Sequence, residues 1–119
     1  MKKLLIASIT ALTVTSLTSF VAPKAHAADV AQSLCEYVAA DDKKRMRSFL
    51  KTNKVKIRSV FDGIQCNGQN LLAFAANNGA VETGSLIISK LPKKIVSENL
   101  TLLNGNASLT SAANERVSS

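Results

Sequence analysis

Apolar positions recur at helical spacing through most of the chain beyond residue 28. Val30, Leu34, Tyr37 and Val38 share one face of a first helix, with Asp29 as its N-cap and an end near Ala40. Asp41 and Asp42 can close that helix and cap the next, on which Met46, Phe49 and Leu50 share a face as far as about Thr52. From Lys54 to Phe61 the period changes. Val55, Ile57 and, out of phase, Val60 alternate with Lys56 and Arg58, which predicts a short extended segment. Asp62-Gly63 and Asn67-Gly68 are turn dipeptides on either side of Cys66.

Asn70 reads as the N-cap of a third helix, Leu71 to Asn77, with Leu72, Ala75 and Ala76 inward and Asn78-Gly79 as its stop. A fourth, about Val81 to Lys90, offers Val81, Leu86, Ile87 and Leu91 to the core and ends at Pro92. Ile95, Val96, Leu100 and Leu103 predict a further short helix between Lys93 and Leu103. After Asn104 the chain is Asn, Gly, Ser, Thr and Ala with little to bury, so residues 104–119 are expected to be a flexible, disordered tail. The fold class is mainly α: a small helical domain over residues 28–103, built of stacked helical hairpins.

The first 27 residues follow another pattern. Met1, Lys2 and Lys3 form a short positive start, and no charge follows from Leu4 to Ala22. Pro23 and Lys24 break the apolar run, and Ala25-His26-Ala27 is the small-x-small pattern read by signal peptidase. A cleaved signal peptide is expected, cut between Ala27 and Ala28. An uncleaved anchor would need about 20 predominantly apolar residues, and Ser8, Thr10, Thr13, Thr15, Ser16, Thr18 and Ser19 dilute this stretch. A lipid anchor is disfavoured too, because Gln32-Ser33-Leu34 before Cys35 is a poor lipoprotein processing box. The protein is read as exported, periplasmic or secreted, with no transmembrane segment after cleavage.

Cleavage changes the available chemistry. Loss of Lys2, Lys3 and Lys24 lowers the formal charge from +7 to +4, and His26, the one histidine, leaves with them. A mature chain of about 92 residues has a thin core, with no Trp, one Tyr and three Phe. Cys35 and Cys66 are an even pair in an exported chain, so a structural disulfide is expected. Closing a loop of about 30 residues contributes roughly 3 to 4 kcal/mol on the chain-entropy view. A redox pair would more often use Cys-x-x-Cys spacing.

No catalytic constellation, cofactor site or metal-ligand set is legible. Nucleophilic catalysis wants a base beside the nucleophile, and no imidazole survives cleavage. Asp41 and Asp42 are explained by helix capping, and Asp62 by its turn. One surface feature stands out. Lys43, Lys44, Arg45, Arg47, Lys51, Lys54, Lys56 and Arg58 follow one another with no acid among them. Lys44, Arg47 and Lys51 form a helical stripe away from Met46, Phe49 and Leu50. Such a run is a solvated face or a docking face for an anionic envelope protein or surface. Nucleic acid is a poor partner, since export separates the chain from it and no aromatic residue interleaves the run before Phe49. Three classes remain: an interaction module without catalytic activity, a structural or stress-related envelope factor, and an enzyme with an unusual site. An apolar patch beside the basic stripe would favour the first, and a deep polar pocket around a perturbed lysine the last.

Two resemblances complete the reading. Ala39-Ala40 to Leu50 and Ala75-Ala76 to Leu86 share one spacing, 36 residues apart, as stacked helical hairpins do. Asn67 to Glu82 resembles an ankyrin repeat in its Gly-x-x-x-Leu register, Ala-Ala pair, Gly and Glu, with Leu71 and Ala73 where that repeat has Pro and His. From Leu34 to about Leu100 the chain resembles a family of small exported bacterial proteins known only as a domain of unknown function. Leu34-Cys35, the charged run Asp41 to Arg47, Ile57-Arg58, Asp62-Gly63, Cys66-Asn67-Gly68 and Lys90-Leu91-Pro92 carry that likeness. It supports a secreted, disulfide-closed helical domain and points to no particular activity.

Overall fold

A computed structural model describes the backbone from residue 22 and side chains from residue 28 to the C-terminus. The signal sequence expected over residues 1–27 thus lies almost wholly outside the described residues. The described residues form seven helices: α1 (Ala22–Ala39), α2 (Lys43–Thr52), α3 (Ile57–Val60), α4 (Leu71–Asn77), α5 (Val81–Lys90), α6 (Lys93–Glu98) and α7 (Ala107–Ser118). Tight 3-10 turns occupy Phe61–Gly63 and Leu100–Leu103. No strand occurs among the described residues. Asn67 and Gly68 both take positive φ, and Cys66 and Gln69 exchange backbone hydrogen bonds of 2.7 and 3.0 Å across them. This is the tight turn that an Asn-Gly pair favours.

The helices are paired by turns of one design. After α1, the Asp42 N–H donates to Tyr37 O (2.8 Å) and the Asp41 N–H to Val38 O (3.0 Å). After α4, the Ala80 N–H donates to Ala75 O (2.9 Å) and the Gly79 N–H to Ala76 O (3.3 Å). Both are Schellman closures with a left-handed residue, Asp41 at φ 51° and Gly79 at φ 66°. The turns lie 38 positions apart, Asp42 matching Ala80. The internal repeat therefore runs in a register of 38 rather than the 36 suggested by the Ala-Ala pairs. Turn geometry, not residue identity, sets the phase, and it matches Leu34 with Leu72 and Leu50 with Ile88, all buried. Hairpin α1–α2 packs on hairpin α4–α5, with α1 against α4 and α2 against α5.

The core is continuous from Val30, Leu34 and Val38 through Met46, Leu71, Leu72 and Ile87 to Leu103 and Leu109. Helix α4 is buried from Leu71 to Ala76, which makes it the centre of the domain. Its cap is Asn70, whose side-chain oxygen accepts from the Ala73 N–H at 2.8 Å. The amide of Asn70 also donates to Asn99 Oδ1 at 2.7 Å, tying α4 to the end of α6. Cys35 on α1 and Cys66 in the turn are disulfide-bonded, with Cα atoms 5.7 Å apart.

Three expectations are corrected. Asp29 lies inside α1, which begins at Ala22, so it is not an N-cap in this structure. The segment Lys54 to Phe61 is not extended beyond Lys56 (φ −108°, ψ 123°). Ile57, Phe61 and Ile64 are buried at i, i+4 and i+7, a helical period that overrides the short alternation before it. Residues 104–119 are not a disordered tail. Asn106 caps α7 by accepting from the Leu109 N–H at 3.0 Å, and Leu109 and Ala113 are fully buried. Small residues permit this. Gly84 on α5 brings its backbone close to Leu109, and Arg116 donates to Leu91 O at 3.1 Å, at the end of α5.

Candidate anion-binding groove

The basic run does not stay together in the fold. Lys43 Nζ lies 3.7 Å from Glu82 Oε2, and Arg45 Nε lies 3.5 Å from Asp42 Oδ2. Both pairs are largely solvent-exposed, and such pairs contribute at most about 1 kcal/mol. They are the two salt bridges among the described residues. Lys44 and Lys54 are exposed and are not among the residues that line the groove shared by the rest of the run.

The other four converge. Arg47 and Lys51 come from adjacent turns of α2, Lys56 from the link after it and Arg58 from α3. With Lys90, in the last turn of α5, they line a groove of about 480 Å³. Leu50, Val55 and Ile57 supply the rest of the lining. Every lining side chain is thus cationic or aliphatic. No acid and no neutral polar side chain is present, although eight acidic residues occur in the chain.

The backbone explains how these groups meet. A third Schellman closure follows α2: the Val55 N–H donates to Leu50 O (2.9 Å) and the Lys54 N–H to Lys51 O (3.3 Å), with Lys54 at φ 52°. The chain reverses there and lays Val55 beside Leu50. Ile57, almost fully buried, then anchors α3, which packs on α5 and so comes near Lys90. Lys51 and Lys90 also answer the negative ends of the dipoles of α2 and α5. The charged residues that line the groove are all of one sign, an arrangement that favours anions nearby.

Among the described residues, the sequence run thus divides into two ion-paired cations, two surface cations with no ion pair and four groove cations. Lys90 was not in that run. In the sequence it reads as a last-turn lysine, a placement that helix dipoles favour anyway, and only the packing of α3 on α5 reveals its neighbours. Among the described residues, no group of three or more His, Cys, Asp or Glu stands together as metal ligands would. No described helix is long and apolar enough to cross a membrane.

These features define a small disulfide-closed helical domain that bears a basic, apolar-floored groove. The disulfide fits an oxidising, exported environment. Residues 34–98 match the family described as Protein of unknown function (DUF3718), and the chain belongs to that family. No curated protein and no solved structure matches the chain.

Proposed function

We propose that the chain is exported, cut between Ala27 and Ala28, and acts outside the cytoplasm as a small interaction module without catalytic activity. Its groove binds an anionic partner of the cell envelope. The observation that carries this reading is the convergence of Arg47, Lys51, Lys56, Arg58 and Lys90 on one concavity free of acids. A merely solvating charge would not need to gather on one concavity, and Lys44 and Lys54 do not line it. Cleavage after Ala27 would keep Val30, Leu34 and Val38, the buried residues described in α1. The two hairpins in one turn register support an ankyrin-like reading of the scaffold.

Co-sedimentation of residues 28–119 with native envelope fractions at low ionic strength tests the proposal. The wild-type chain is expected in the pellet, released by salt, because exposed charges are screened beyond about 8 Å at physiological ionic strength. The variant Arg47→Glu/Lys51→Glu/Arg58→Glu should stay in solution while folding normally. Equal pelleting of both would refute the proposal.

A further inference from the structure

We infer that the groove's ligand is an anionic phospholipid, held by its phosphate and the first carbons of an acyl chain. This rests on the anion-binding reading above and names its ligand class. The groove's composition carries the inference. Five lining side chains are cations and three are aliphatic, and there is nothing else. A sugar or a nucleotide presents many neutral donors and acceptors, or a flat base, beside its charge. A site for one of these would answer with hydroxyl or amide side chains, or with aromatic faces for bases. None lines this groove. A phospholipid joins a phosphate, which arginine forks and lysine ammonium groups both recognise, through a short glycerol ester to long apolar chains.

Size and shape agree. About 480 Å³ falls in the range of small-molecule sites, roughly 300–1,000 Å³, and suits a headgroup with a short length of chain. Leu50 and Ile57 are nearly covered by protein, whereas Val55 is half-buried, so Val55 is the apolar side chain with most area left to offer. The cations come from α2, α3, α5 and the link before α3, and line the same groove as the apolar residues.

Titration calorimetry with residues 28–119 tests this, using glycerol 3-phosphate, dihexanoyl phosphatidylglycerol and octanoate. The phospholipid should bind at least about tenfold more tightly than glycerol 3-phosphate, since each buried methylene adds to affinity. It should also bind more tightly than octanoate. Val55→Ser should remove most of the gain from the chain. Arg47→Glu/Arg58→Glu should abolish binding of both phosphates. Equal affinity for glycerol 3-phosphate and the phospholipid overturns the lipid assignment while leaving an anion site. Tighter binding of octanoate overturns the phosphate assignment. Undiminished lipid binding by Arg47→Glu/Arg58→Glu overturns both this inference and the anion groove itself. Absence of phospholipid binding by the wild-type chain overturns the inference, and envelope sedimentation then judges the broader proposal alone.

Discussion

Asp41 Oδ1 accepts two hydrogen bonds from Thr83, one from its backbone N–H at 2.8 Å and one from its hydroxyl at 3.0 Å, across 42 positions of sequence. Helix α5 has no N-cap of its own, since Ala80 stands there. Asp41, at the turn that ends α1, supplies the missing acceptor and also receives the Glu82 N–H at 3.4 Å. One carboxylate thereby locks hairpin α1–α2 onto hairpin α4–α5. Thr83 is fully buried, so its hydroxyl has no water to replace this partner. Asp41→Ala is expected to destabilise the domain by about 2 kcal/mol, from the lost cap and the unpaired buried groups. Asp41→Asn keeps an acceptor and tolerates the left-handed backbone, so it should cost less. Urea midpoints at constant slope check the order.

Lys54 adopts the same left-handed conformation as Asp41, yet its side chain caps nothing. A side chain there costs about 1 to 2 kcal/mol, partly offset in a glycine by greater freedom of the unfolded chain. Lys54→Gly is therefore expected to stabilise by about 0.5 kcal/mol. Asp41→Gly, at matching backbone geometry, should destabilise. Thermal melts of the two variants test the contrast, and a shared sign would contradict the assigned role of Asp41.

A Cβ on Gly84 would stand 2.7 Å from both methyl carbons of Leu109 and 3.3 Å from Ala75 Cβ. Leu109 is fully buried and has little room to turn away. Gly84→Ala should cost about 1 to 3 kcal/mol through overpacking between α5 and α7. Because one contact is responsible, Gly84→Ala/Leu109→Ala should be less destabilised than the sum of its parts. Additive losses in chemical denaturation would mean that α7 does not pack there.

The Cys35–Cys66 bond joins α1 to the turn before the central helix. Replacing both with serine should lower stability by about 3 to 4 kcal/mol. Reductant should lower the melting temperature of the wild-type chain and leave the double variant unmoved.

Helix periodicity was plain wherever large aliphatic residues mark the buried face, as Leu34 and Val38 do on α1 and Leu86 and Ile87 on α5. Asn70 could be read as a cap because its short side chain fits that one role before an apolar run. Helix α7 was obscured because its buried face is mostly small. Leu109, Ala113 and Val117 keep helical spacing, but alanine scarcely separates a core helix from a polar tail. Its partner is a glycine, whose contribution is an absence of side chain. Residues 55–61 misled because two alternating positions look like a strand until Ile64 extends the longer period. The basic run announced a charged surface but not its division, since ion pairing by Glu82 and the approach of Lys90 both depend on tertiary packing.

The proposed anion binding is expected to depend on the groove rather than on positive charge in general. Two variants with the same change of charge separate these: Arg47→Glu/Arg58→Glu inside the groove and Lys44→Glu/Lys94→Glu on exposed surface outside it. The measurement is the dissociation constant of residues 28–119 for vesicles containing phosphatidylglycerol, at one fixed low salt concentration. The groove pair should weaken binding by at least about tenfold, or roughly 1.4 kcal/mol, and the surface pair by only a few-fold. Equal losses from the two pairs would show that the basic residues act as diffuse surface charge, and would refute a groove-specific site.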